Sequence, residues 1–186
     1  MFVGTAWWWI SKPPRCAFFF ALWPDSALQT ALHNLGNALN PDCDGRAVRQ
    51  ETIHLTLAFI AALPADRIEA LYAAAARVDT PAFDWQVDQL GYWRRNQLLW
   101  AGASQPPGAL TTLVGRLHAE LNDAGLAFDD SKPFVPHITL LRKARCKQPV
   151  QPPEALDWQV REFVLVQSEI TAVGANYRVI RRWPLG

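Results

Sequence analysis

The chain is 186 residues long, half of them hydrophobic and 19% charged, with a formal net charge of +1. That length suits one domain, or two small lobes sharing a core, and the composition excludes a disordered chain. The balanced charge excludes a protein that coats nucleic acid through a general basic field, but it leaves room for a site that grips one phosphate group.

The first ten residues are apolar and carry Trp7-Trp8-Trp9, yet they lack a basic lead and are too short to span a bilayer. Ser11-Lys12-Pro13-Pro14 then interrupts them, so residues 1–14 are expected to be an extension rather than a signal peptide or membrane anchor. Arg15 to Leu22 (RCAFFFAL) reads as a buried central strand. Pro24-Asp25-Ser26 starts a helix in which Leu28, Leu32, Leu35 and Leu39 recur at helical spacing to about Asn40, and Pro41 to Gly45 is a loop by composition. Ile53 to Ile60 reads as a strand, and Pro64-Ala65-Asp66 opens an alanine-rich helix to about Val78. Phe83 to Tyr92 and Gln97 to Ala101 read as a hairpin around Trp93-Arg94-Arg95-Asn96. Leu110, Leu113, Leu117 and Leu121 mark one face of a third helix that ends near Gly125. Phe134 to Leu141 is the next strand, Gln148 to Pro153 a proline-rich connector. Trp158 to Ile170 and Tyr177 to Trp183 close the chain as strands joined by Gly174-Ala175-Asn176. Strands outnumber helices and short turns join several of them, so the expected class is α+β with mixed or antiparallel sheets.

Cys16, Cys43 and Cys146 are odd in number and widely spaced, with no CxxC pair. Neither a zinc ribbon nor a disulfide framework is implied, and all three are read as reduced thiols of a cytoplasmic protein.

One element recurs. His54-Leu55-Thr56-Leu57 and His137-Ile138-Thr139-Leu140 both read His, aliphatic, Thr, Leu, 83 residues apart (137 − 54) and each within a predicted strand. Strand side chains alternate, so each histidine shares a face with its threonine while the aliphatic residues point to the opposite face. Side by side, two such strands present two imidazoles and two hydroxyls to one cleft. An imidazole titrates near 6.5, so one can take a proton while the other gives one, and hydroxyls can donate to phosphate oxygens between them. His33 and His118 lie in predicted helices without a motif and are read as ordinary helical residues. No HxxxH or HxH pair exists and no carboxylate accompanies either tetrad, so neither metal nor cofactor is expected.

The two tetrads resemble the paired HxTx signatures of the 2H phosphoesterase superfamily. The surrounding sequence is similar to its bacterial and archaeal branch of RNA 2′,3′-cyclic phosphodiesterases, once described as 2′-5′ RNA ligases. RCAFFFALWP resembles that branch's first strand and helix start, IHLTLAF its first signature and FVPHITLLR its second. The tail from Phe163 to Trp183, with Ser168, Gly174, Tyr177 and Trp183, resembles its closing hairpin. The resemblance implies two pseudo-symmetric lobes of antiparallel sheet with outer helices around a central cleft, formed by residues 15–186 as one bilobal domain. It implies His54 and His137 as the catalytic pair, the first protonating the departing 3′ oxygen and the second activating water. Thr56 and Thr139 would bind the phosphate and Arg142 would add positive charge. Strict alternation puts Arg142 on the face opposite His137, so that role requires the strand to end or bulge. Arg46 stands where an arginine often precedes the first motif, although Ala47 follows it where an aromatic residue is common.

The implied partners are RNA ends or nucleotides bearing a 2′,3′-cyclic phosphate, with no membrane and a monomeric state. A binding module that keeps the cleft without chemistry is the alternative. Arg142, Lys143, Arg145 and Lys147 form a basic run that reads as a solvated turn or as a phosphate-backbone contact. Tyr92, Trp93 and Trp100 could stack on a base, although core packing accounts for most of the nine tryptophans.

Overall fold

The unbroken apolar run at the start of the described chain has a simple cause. Strand β1 (Ala17–Leu22) lies inside the sheet with its residues buried on both faces, so no polar alternation is called for. The computed structural model describes residues 17–147, 154–171 and 174–186. The expected extension at 1–14 and the connector at 148–153 lie outside them. After β1 come α1 (Ser26–Cys43), β2 (Arg46–Ala47), β3 (Leu55–Ala62), α2 (Ile68–Ala76), β4 (Phe83–Val87), β5 (Gln89–Trp93) and β6 (Leu98–Gly102). They are followed by α3 (Gly108–Asp123), β7 (Ile138–Arg142), β8 (Leu156–Val160), β9 (Glu162–Thr171) and β10 (Gly174–Pro184).

The main sheet runs β10-β9-β1-β3-β7-β6-β5, with β2 also on β7, while β4 and β8 form a separate ribbon. All described strand pairs are antiparallel, so the class is α+β as expected. Two halves of the sheet meet at the centre, β1 and β3 on one side and β7 and β6 on the other, and each is backed by the helix from the other half of the chain: α1 packs on β7 and α3 on β3. The only direct β3–β7 pairing among the described residues is Leu55 with Ile138.

Helix ends follow local chemistry. The Asp25 carboxylate accepts from the Leu28 N–H and caps α1. The helix runs three residues past Asn40, because Asp44 adopts the left-handed region and its N–H donates to the Asn40 carbonyl. At α3, Gly125 (φ +62°) turns the chain back, and the Leu126 N–H donates to the Leu121 carbonyl.

Several expected strand boundaries differ: β3 and β7 open later than expected, at Leu55 and Ile138. The run 83–92 divides at Asp88, whose carboxylate accepts from the Ser104 N–H and hydroxyl, both at 2.7 Å. The run 158–170 divides at Arg161, which donates to the Phe83 carbonyl and the Asp84 carboxylate. Both breaks release residues to the small ribbon, where Trp85 stacks on Trp158 at 5.4 Å. The last strand starts at Gly174, already paired with Thr171, rather than after Asn176.

The reading of Cys43 and Cys146 as unlinked thiols is corrected: they form a disulfide across a sequence separation of 103. Linear spacing carries no trace of it. Pairing of β2 with β7 brings the end of α1 beside the loop after β7, and the Arg145 N–H donates to the Cys43 carbonyl. Cys16 lies outside the described residues. Among the described residues no helix is long and apolar enough to cross a membrane.

Glycine matters most at Gly91 on β5. It pairs with Trp100 on β6, and a Cβ there would stand 2.0 Å from the indole. Trp100 packs on Trp93, which packs edge-on against His137 at 4.6 Å. Gly91→Ala is expected to destabilise the protein by about 1–3 kcal/mol through overpacking. Urea unfolding checks this, and an unchanged midpoint would mean that the indole moves aside freely.

Candidate active site

The tetrads occupy the two central strands, and their register can be read from one pair. With Leu55 opposite Ile138, one residue further on each side sets His54 opposite Thr139 and Thr56 opposite His137. The alternation expected from sequence holds: Leu55, Leu57, Ile138 and Leu140 are buried, whereas the histidines and threonines are part-exposed on the other face. The four positions form a square with the histidines on one diagonal, their backbones about 7–8 Å apart by ordinary sheet geometry. Both histidines stand one residue ahead of their strands, which open at Leu55 and Ile138, rather than inside them.

Each tetrad also carries a bulge at its last leucine. Ala21 pairs with Thr56 and Phe20 with Ala58, leaving Leu57 as the extra residue of β3. Trp100 pairs with Thr139 and Leu99 with Leu141, leaving Leu140 as the extra residue of β7. A bulge reverses the alternation beyond it. Arg142 thereby joins the cleft face, lining one cavity with His54 and Thr139, as its expected role required.

Matching contacts hold the rings. The Nδ1–H of His54 donates to the Thr52 carbonyl at 2.6 Å, and that of His137 to the Val135 carbonyl at 2.9 Å. A carbonyl only accepts, so in both rings Nδ1 carries the proton and Nε2 is the atom left for chemistry. The Thr56 hydroxyl lies 3.2 Å from Nε2 of His54. His54 is enclosed by Trp23, stacked at 5.4 Å, Phe19 at 4.8 Å and Tyr177 edge-on at 5.5 Å. This burial pushes its pKa down to about 4; the Thr52 carbonyl works the other way, and the Arg142 and His137 charges add to the lowering. His137 is also lowered, chiefly by burial, against the pull of the Val135 carbonyl.

The cleft is divided. His54 and Thr139 line a cavity of about 350 Å³ whose wall carries Arg46, Arg49, Arg142 and Lys143. His137 and Thr56 line a second cavity, of about 500 Å³, walled by Phe59, Trp93, Phe134 and Val135. Of the three aromatic residues weighed for stacking or core packing, Trp93 lies against His137, Trp100 packs over Gly91, and the Tyr92 hydroxyl donates to the Ala144 carbonyl. Among the described residues no three His, Cys, Asp or Glu side chains are grouped to hold a metal ion.

His33 and His118 are more than ordinary helical residues. His118 on α3 donates from Nε2 to the carbonyl of Leu57, the first bulge residue. His33 on α1 donates from Nδ1 to the carbonyl of Val48, whose own N–H donates to Leu140, the second bulge residue. A signal was present: they are 85 residues apart (118 − 33), nearly the spacing of the tetrads.

His118→Leu leaves the Leu57 carbonyl without this donor and is expected to lower stability by about 1–3 kcal/mol. A loss below about 0.5 kcal/mol in urea unfolding would show that the carbonyl finds another partner. As pH falls, the unfolded chain protonates His54 near 6.5 while the folded protein resists until about 4. The stability this group contributes is whole above pH 6.5 and is lost toward pH 4, by about 3 kcal/mol. His54→Gln should flatten that part of the stability–pH curve, and a slope equal to that of the unmodified protein would contradict it.

Residues 22–100 and 102–172 match the family model of LigT-like phosphoesterases. The RNA 2′,3′-cyclic phosphodiesterase of Escherichia coli (strain K12) is 34% identical over 178 residues, spanning 95% of this chain and 99% of its own. That of Thermus thermophilus is 29% identical over 178 residues, spanning 90% and 89% respectively. The crystal structure of E. coli LigT complexed with 3′-AMP aligns with a TM-score of 0.84 at 32% identity, covering 94% of this chain and 99% of the other.

Proposed function

Because this chain belongs to the LigT-like phosphoesterase family, we propose that it is an RNA 2′,3′-cyclic phosphodiesterase that opens cyclic phosphate ends to 2′-phosphates. The observation that carries the reading is the square of two imidazoles and two threonine hydroxyls built across Leu55 and Ile138. Thr56 and Thr139 donate to the non-bridging oxygens, and Arg142 adds charge beside them. Water attacks phosphorus, the bond to the 3′ oxygen breaks, and the product carries a 2′-phosphate and a free 3′ hydroxyl. His137 takes the proton from water through Nε2, and His54 gives one to the departing 3′ oxygen.

The lowered pKa values bear on this step. His54 is held neutral by its surroundings. The negative charge of a phosphodiester between the rings favours the imidazolium, so the acid is assembled by the substrate itself. With the 5′ hydroxyl of another RNA end in place of water, the same groups would attach that oxygen to phosphorus as the bond to the 3′ oxygen breaks, joining the ends through a 2′-5′ bond, weakly in water. Residues 15–186 act as one bilobal, monomeric unit, with 1–14 an extension. The chain works in the cytoplasm, on RNA ends.

Incubation with 2′,3′-cyclic nucleotides in the presence of EDTA should give the 2′-phosphate alone. His54→Ala and His137→Ala should each lower turnover about 100- to 10,000-fold without unfolding the protein. A 3′-phosphate product, binding with no product, or near-normal turnover in both variants would overturn the proposal.

A further inference from the structure

The two cavities that flank the histidine pair differ in chemistry, and a nucleotide is chemically two-sided in the same way. On the His54 side the wall carries Arg46, Arg49, Arg142 and Lys143, and among the described residues no carboxylate lines it. One cyclic phosphodiester brings one negative charge, which Arg142 and the threonine hydroxyls already meet. Arg46 is paired directly across the β2–β7 ladder with Arg142. Like charges in that position repel, and among the described residues neither arginine has an ion-pair partner. Arg49 is partly committed, to Glu51 and to the Ala175 carbonyl. Lys143 holds the left-handed region (φ 54°), an unusual backbone for a lysine, at the same wall. On the His137 side the wall is apolar and aromatic, and it includes Phe59 and Val135, the two large hydrophobic residues most exposed to solvent among the described residues.

We propose that these cavities divide one RNA end between them: the apolar cavity receives the base of the terminal nucleotide, and the cationic cavity receives the phosphodiester on its 5′ side. The inference rests on the cyclic-phosphodiesterase reading and adds to it a second phosphate subsite, formed by Arg46 and Lys143. The repulsion between Arg46 and Arg142 is relieved when an anion lies between them. A base has an aromatic face and few charges, so it partitions to the cavity lined by Phe59, Trp93 and Phe134. The preferred substrate is therefore at least a dinucleotide. What the cationic side reads is backbone charge, not sequence.

The test compares kcat/KM for three probes: uridine 2′,3′-cyclic phosphate, the diuridine ending in a 2′,3′-cyclic phosphate, and the same diuridine with a neutral methylphosphonate linkage. A charge-assisted contact corresponds to about tenfold or more. The natural diuridine should therefore exceed the methylphosphonate analogue by at least about tenfold at low salt, with the difference shrinking as salt rises. In Arg46→Gln/Lys143→Gln that ratio should fall to about one. Equal kcat/KM for the natural and neutral diuridines, or an unchanged ratio in the double variant, would overturn the second subsite while leaving the cyclic-phosphodiesterase reading in place. Failure to turn over any of the three would overturn both.

Discussion

A single antiparallel pairing, Leu55 with Ile138, organises the cleft. The two aliphatic residues are fully buried on one face of the sheet, and that burial fixes the register on the other. A slip by one residue would send both histidines and both threonines into the core and turn the leucines to solvent. The chemistry on the open face is thus secured by hydrophobic burial on the closed one. The strands touch little beyond this pair, so the sheet can open there into cavities without losing its centre.

The bulges at Leu57 and Leu140 are the second device. Each follows a threonine of the cleft, and each is held from outside the sheet by a helix histidine, directly through His118 or through Val48 and His33. In β7 the bulge decides the charge of the site, because it turns Arg142 toward His54 and Thr139. The two halves are alike in these respects and unlike in their surroundings. His54 is packed among three aromatic rings beside a cationic wall, whereas His137 leans on Trp93 beside an apolar one. That asymmetry gives a pseudo-symmetric scaffold a direction along which a polar, one-ended substrate can lie.

Electrostatics and burial pull together at both histidines, most strongly at His54. Its enclosure and the Arg142 charge both favour the neutral ring. A bound phosphate opposes both, so the protonation state of the pair is tied to occupancy. The cluster of Arg46, Arg142 and Lys143 has the same logic: unfavourable among themselves, these cations become favourable around an anion.

Much of this was legible in the chain itself. Periodicity located the helices, because Leu28 and Leu32, or Leu110 to Leu121, must share a buried face, and a repeated His-x-Thr-Leu marked the central strands, because alternation with period two leaves His and Thr on one side. The α+β class followed from the count and spacing of such runs. Tertiary structure alone decided the rest. Asp88 and Arg161 end strands through partners 16 and about 78 residues away, and Cys43 meets Cys146 across 103. The bulge that reorients Arg142 is a mismatch between two strands, a property of neither sequence alone. The same holds for His33 and His118, whose acceptors lie on other elements. Local pattern reports what a segment must bury; which groups then face each other depends on register and contact between segments distant in sequence, and those exist only once the sheet has closed.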